Sequence, residues 1–141
     1  MKKILIINGP NLNMLGLREP EIYGQENLDD IIQFTEKKLN GQAQLEWFQS
    51  NIEGEIVTKI QKAFMDKVDA LVINPGGYAH TSVAIHDALK ILKIPVIEVH
   101  LSQIYKREEF RHTLLTAKAA TAIMGGLGKQ SYYFAILSQL P

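Results

Sequence analysis

Short apolar runs alternate with amphipathic helical stretches along this chain, and that alternation restricts it to one class of fold. The runs cover residues 3–8, 43–49, 70–74, 96–99 and 120–124. Between them Leu28, Ile31, Ile32 and Leu39 form one apolar helix face, with Asn27 as its cap and Asn40-Gly41 as its stop. Ile56, Ile60, Ala63 and Phe64 form a second, preceded by Ser50 and Glu53 at the spacing of a capping box. Ile85, Ala88, Leu89 and Leu92 form a third, capped by Thr81 or Ser82, and a last helix runs from about Gln130 to Leu137. Strands separated by helices imply a parallel sheet covered on both faces and joined by right-handed crossovers. Five strands in this length predict an α/β, doubly wound domain with strand order 2-1-3-4-5, spanning residues 1–141.

Composition removes several classes of function. Fifteen Lys and Arg balance fifteen Asp and Glu, without the basic excess that nucleic-acid binding normally requires. The absence of cysteine excludes a disulfide framework, a thiolate zinc site and a cysteine nucleophile. The N-terminal apolar run is short and breaks at Asn8-Gly9-Pro10, so it reads as a first strand rather than a signal peptide. No apolar stretch approaches the ~20 residues that span a bilayer. The expectation is a soluble, cytoplasmic domain without nucleic-acid or membrane partners.

The segment after the first strand, residues 8–24, is longer than most loops in compact domains, which seldom exceed roughly a dozen residues unless they bind something or close over it. It carries Gly9, Gly16, Gly24, Pro10 and Pro20, so turn chemistry shapes it, and it holds one arginine, Arg18, and one tyrosine, Tyr23. In the expected strand order it adjoins two other strand ends. After strand 3 come Asn74-Pro-Gly-Gly-Tyr-Ala-His80, and at the end of strand 4 come Glu98, His100, Leu101 and Ser102. Each residue alone has an ordinary structural reading, as a packed tyrosine, a capped turn or a solvated charge; their convergence at the carboxyl edge is what suggests a site.

Glu98 and His100 are two apart on a strand and emerge on one face, where a carboxylate can fix an imidazole tautomer and hold the charge an acid needs. A partly solvated ion pair is the alternative. Asn74 and the glycine N–H groups after it suit hydroxyl or oxyanion recognition, or simply a turn that needs positive φ. Asp87 lies about 200° around the helix from Ile85 and points away from the core. Arg107 and Arg111 sit at helical spacing just after the His100 loop, as a solvated charge run or as site cations.

Other motifs fail. Gly125-Gly-Leu-Gly-Lys-Gln130 has Ile123 and Gln130 where a phosphate loop needs Gly and Ser or Thr. Residues 9–17 contain neither Ser nor Thr, against a flavin phosphate loop, and Asn74 stands where a receiver domain would carry aspartate. His80 and His86 are six apart, without metal-ligand spacing or an acidic cluster. No cofactor and no metal is expected.

Four linked segments match one family in order and spacing. They are Asn8-Gly-Pro-Asn-Leu-Asn13 with Gly16-x-Arg18-Glu-Pro-x-x-Tyr23-Gly24; Ile73-Asn-Pro-Gly-Gly-Tyr-x-His80-Thr-Ser82; Ile97-Glu-Val-His-Leu-Ser102; and Arg107-Glu-x-Phe-Arg111. Together they resemble type II 3-dehydroquinate dehydratase. The resemblance implies a flavodoxin-like fold, usually assembled from trimers into a homododecamer, and anti elimination of water from 3-dehydroquinate through an enolate without metal or Schiff base. By position it implies Tyr23 as the base, Arg18 as its activating cation, Asn11 as holder of the water at the enolate oxygen, and His100 with Glu98 as the acid. It further implies that Asn74, His80, Leu101, Ser102 and Arg111 bind substrate, with Asp87 acting from a neighbouring subunit and the first loop closing as a lid. Leu17 and His86 depart from the usual pattern, and the match thins from Thr113 to Thr121. A non-catalytic small-ligand binder of the same fold is the alternative, disfavoured by the retention of both Tyr23 and Arg18. A flavin electron carrier is a third reading, disfavoured by the first loop.

Overall fold

The computed structural model describes all 141 residues except the side chain of Tyr23. Five strands, β1 (Lys3–Asn8), β2 (Gln44–Gln49), β3 (Ala70–Asn74), β4 (Val96–His100) and β5 (Ala122–Gly125), form one sheet in the order β2-β1-β3-β4-β5. Every adjacent pair is parallel. The α-helices are α1 (Pro20–Tyr23), α2 (Leu28–Leu39), α3 (Glu53–Asp66), α4 (Val83–Leu89) and α5 (Gln130–Leu137). The sheet order and the helical coverage agree with expectation.

Residue alternation along the strands builds two cores. Ile4, Ile6, Val72, Ile97 and Val99 face α2 and α5, where they meet Ile31, Leu39, Tyr132 and Ile136. Leu5, Ile7, Leu71, Ile73 and Val96 face α3 and α4, where they meet Ile56, Ile60, Ile85 and Leu89. The three central strands are therefore apolar on both sides, as buried parallel strands are.

Local signals hold with adjustments, one being that α4 ends at Leu89, so Leu92 of the expected apolar face packs from the turn beyond it. Asn27 caps α2 in a reciprocal box with Asp30, and the helix stops at Asn40 and Gly41, both at positive φ. Ser82, not Thr81, caps α4, its Oγ accepting from the Ile85 N–H at 2.9 Å. The Ser50–Glu53 box does not form. Here α3 opens at Glu53 itself, so the Ser50 hydroxyl instead accepts from Ile52 N–H and donates to Glu55. Phe64 is half-exposed, because it lies about 80° around the helix from the buried Ile56 direction. Strand limits shift by one or two residues: Ala43 is buried just ahead of β2, and β4 reaches His100. β5 starts at Ala122, and just ahead of it Thr121 donates its N–H to the Val96 carbonyl and accepts from the Val96 N–H through its hydroxyl.

The turns leaving β1 and β3 are in backbone contact. Gly9 N–H donates to the Asn74 carbonyl at 2.8 Å, and a Cβ on Gly9 would lie 2.3 Å from the Pro75 carbonyl oxygen. Gly76, at φ +60°, would place a Cβ 2.9 Å from the Pro10 oxygen. Beyond this junction the loop contains a 3-10 turn (Leu12–Met14) and α1, and buried Leu12 and Leu15 anchor it.

Gly9→Ala must push two backbones apart and is expected to cost about 1–3 kcal/mol, at the upper end because no flexible side chain can yield. Gly54→Ala, in α3 with open space around it, is the matched control and should be neutral or stabilising by up to about 1 kcal/mol. Thermal unfolding at fixed protein concentration distinguishes the two; equal midpoints would contradict the close approach.

Candidate active site

Polar side chains are buried at the ends of β1 and β3. Asn8 and Asn74 are register partners, both on the α5 side of the sheet, and the Tyr132 hydroxyl of α5 bridges them. It donates to Asn8 Oδ1 and accepts from Asn74 Nδ2 at 2.9 Å, while Asn74 Oδ1 accepts from the Gly76 N–H at 3.2 Å. Burial pushes the Tyr132 phenol well above its ordinary value, so it stays a neutral donor. The chain of donors fixes which way the Asn74 amide points.

On the opposite face, β4 ends with Glu98 and His100. His100 Nε2 lies 2.7 Å from Glu98 Oε2, and the two side chains are 6% and 0% exposed, so this is not the partly solvated pair that Glu98 and His100 could have formed. A carboxylate can only accept, so Nε2 carries the proton and Nδ1 is the nitrogen left for chemistry. The second carboxylate oxygen, Oε1, accepts from the hydroxyl of Thr116, which is itself fully buried.

These strand ends open on a cavity of about 120 Å³. Its wall includes Asn11 and Arg18 from the first loop, Asn74 and His80 from the β3 turn, and His100, Leu101 and Ser102 from the end of β4. Arg107 and Arg111 complete a cationic side, with the Arg107 guanidinium 3.5 Å from the Ser102 hydroxyl and Arg111 Nε bonded to Glu108 at 3.0 Å. Arg18 pairs with Glu19 at 3.0 Å. Asn11 adopts φ +70°, its backbone N–H held by Asn51 Oδ1 at 3.0 Å. His80 donates from Nδ1 to the Thr113 carbonyl at 3.0 Å, which leaves Nε2 as an acceptor. Burial holds His80 below the ordinary imidazole value; His100 and Arg111 act in the same direction, against the Thr113 bond and Glu98.

Eight of the eleven residues expected at the site thus line the cavity, and Glu98 sits directly behind one of them. Asp87 does not reach it: its side chain is 71% exposed on α4, paired with His86 at 3.2 Å, in keeping with an outward position. The Tyr23 side chain lies outside the described residues. Sequence reasoning missed Asn8, Tyr132 and Thr116. A tyrosine on the buried stripe Tyr132, Ala135, Ile136 was a usable signal, since a buried phenol needs a partner. Thr116 carried none. The Gly125–Gln130 stretch that failed as a phosphate loop is a turn whose Gly126 and Gly128 N–H groups donate to the His100 and Leu101 carbonyls, at 3.3 and 3.0 Å.

Fold and cavity together define a flavodoxin-like α/β protein whose carboxyl edge carries a buried carboxylate–imidazole pair beside several arginines. The family described as dehydroquinase class II matches residues 2–140, and the chain belongs to that family. It is 52% identical over 137 residues to the 3-dehydroquinate dehydratase of Caldicellulosiruptor bescii, covering 96% of this chain and 94% of that one. It is 50% identical to the 3-dehydroquinate dehydratase of Clostridium perfringens, over 95% of this chain and 94% of the relative. The crystal structure of type II dehydroquinase from Butyrivibrio crossotus superposes with a TM-score of 0.95 at 44% identity, covering 98% of this chain and 97% of the other.

Two outcomes follow from this geometry. Tyr132→Phe strands the Asn8 and Asn74 amides and should cost about 1–3 kcal/mol of stability, measured by thermal unfolding. His80 should titrate below its ordinary 6.5, followed with 13C-labelled histidine by NMR. With its folded value depressed, the folded state binds fewer protons than the unfolded state between the two values. Its contribution to stability therefore falls as pH drops from 6.5 toward the depressed value and is level below it. A midpoint at or above 6.5 would contradict the burial argument.

Proposed function

We infer that the protein removes water from 3-dehydroquinate to give 3-dehydroshikimate, the hydro-lyase step of the shikimate pathway. The observation that carries this reading is the buried Glu98–His100 pair behind a cation-lined cavity, in a chain that matches the family over nearly its whole length.

The reaction breaks a C–H bond α to the ketone and a C–O bond at the neighbouring carbon. Tyr23 takes the proton as phenolate, the electrons move onto the ketone oxygen as an enolate, and the enolate then collapses to expel the C1 hydroxyl as water. An ordinary phenol near pKa 10 costs about 4 kcal/mol to ionise at pH 7, and Arg18, five residues away in the same loop, is the cation assigned to reduce that cost. Asn11 holds the water that stabilises the enolate oxygen. His100 donates a proton to the departing hydroxyl; Glu98 behind it balances the positive charge of the protonated ring and leaves Nδ1 available, which supports the acid role. Asn74, His80, Leu101, Ser102 and Arg111 bind the substrate hydroxyls and carboxylate, a role supported by their places in the cavity wall.

Asp87 reaches the site of a neighbouring subunit, in a homododecamer built from trimers, and its exposure is compatible with that. The first loop closes over bound substrate and excludes water. The enzyme works in the cytoplasm, as a single catalytic domain. A protein that only bound the same ligand would have no use for a fully buried carboxylate behind a histidine.

Turnover is followed by the ultraviolet absorbance of the conjugated enone product; no turnover by assembled protein would defeat the proposal. Tyr23→Phe should lower kcat by at least about 100-fold with KM little changed. Borohydride added with substrate should leave activity intact, because no imine forms. Inactivation would indicate a lysine Schiff base instead.

A further inference from the structure

The stretch where the family pattern thins holds both cavity histidines in place. The Thr113 carbonyl accepts from His80 Nδ1–H at 3.0 Å. The Leu115 N–H and the Thr116 N–H donate to the Ala79 carbonyl at 2.8 and 3.4 Å, which pins this segment to the β3 turn. From that pinned backbone the Thr116 hydroxyl reaches Glu98 Oε1, and Glu98 Oε2 in turn holds His100 Nε2. Thr116 and Glu98 are both 0% exposed, so water does not substitute for the hydroxyl.

We propose that Thr116 is a positioning residue for the dehydration, acting through Glu98 on His100; the proposal rests on the acid role given to His100 above. A carboxylate held at one oxygen can turn about its Cγ–Cδ bond. Held at both, its plane is fixed, and so are the direction of its bond to His100 and the aim of Nδ1. The Thr116 hydroxyl bonds Glu98 and Thr116 is not part of the cavity wall, so its effect falls on proton delivery rather than on substrate binding. Neighbouring charges do not replace it. His80 on the β3 turn, with Arg18, Arg107 and Arg111 of the cavity wall, lies on the cavity side, whereas Thr116 approaches Glu98 from the buried segment ahead of β5.

The test compares Thr116→Val, which keeps the shape and removes the donor, with Thr116→Ser, which keeps the donor. T116V should lower kcat about 10- to 100-fold, the usual range for losing a hydrogen bond to a buried charge, while KM stays within about two-fold. T116S should return kcat to within about three-fold of the parent. With 15N-labelled histidine, the low-field Nε2–H resonance of His100 should be present in the parent and in T116S and be lost or broadened in T116V. A folded T116V with unchanged kcat and an intact resonance would overturn the proposal, as would a T116S no better than T116V. Thr116→Ala removes the same hydroxyl without crowding and carries the comparison if T116V does not fold. Absence of turnover in the parent would defeat the lyase reading alone, because the resonance still decides whether Thr116 fixes the pair.

Discussion

The approach of the β1 turn to the β3 turn is the constraint on which the site depends. Both strands end in asparagine at the same register position, and the next backbone bond runs across them from Gly9 N–H to the Asn74 carbonyl. No side chain fits between Gly9 and Pro75 or between Gly76 and Pro10, so two glycines keep the turns together. That contact sends the first loop sideways over the ends of β3 and β4 and brings Asn11 and Arg18 to the same cavity as His80 and His100. A doubly wound sheet opens at this point in any case, because the chain leaves β1 and β3 in opposite directions. Here the opening is narrowed by backbone packing instead of by bulky side chains.

What was legible in the sequence was whatever has a period or a local signature. Strand runs and helix faces are read from spacing, and the 2-1-3-4-5 order follows from strand–helix alternation and crossover handedness. Asn27 and Ser82 announce their helices because a cap needs a short polar side chain within three residues of the N–H groups it serves. Ser50 announced its helix correctly but chose Glu55 over Glu53, a choice made by where the first turn begins and invisible to a spacing rule. Glu98 and His100 were legible as a pair because alternation puts them on one face, but not their burial. Burial comes from the segment before β5, which carries no periodic pattern.

The side chains missed are the ones whose partners are distant along the chain. Tyr132 meets Asn8 across a separation of 124 residues and Asn74 across 58, and Thr116 meets Glu98 across 18. No local rule pairs them. They are necessary because a buried amide or carboxylate without partners costs more than the bond it would have made, so Asn8 Oδ1 and Glu98 Oε1 recruit donors, and Asn74 Nδ2 an acceptor, from the helix or loop that covers them. α5 covers the β1 and β3 ends and supplies a phenol; the segment before β5 covers the β4 end and supplies a hydroxyl.

The two cavity histidines show what this covering accomplishes chemically. They line the same cavity as Arg18, Arg107 and Arg111, yet their partners differ. His100 is backed by a carboxylate, and that carboxylate is held at both oxygens. His80 is backed by a backbone carbonyl in a half-buried position, and burial keeps it below its ordinary value. In the proposed reaction one imidazole delivers a proton, while the other, bonded through Nδ1–H, presents the lone pair of Nε2. Placing unlike partners behind like side chains is how a single pocket separates an acid from a hydrogen-bond acceptor. Both partners come from residues 98 to 116, so the division of roles between His80 and His100 is made by one stretch of chain packed behind the cavity histidines.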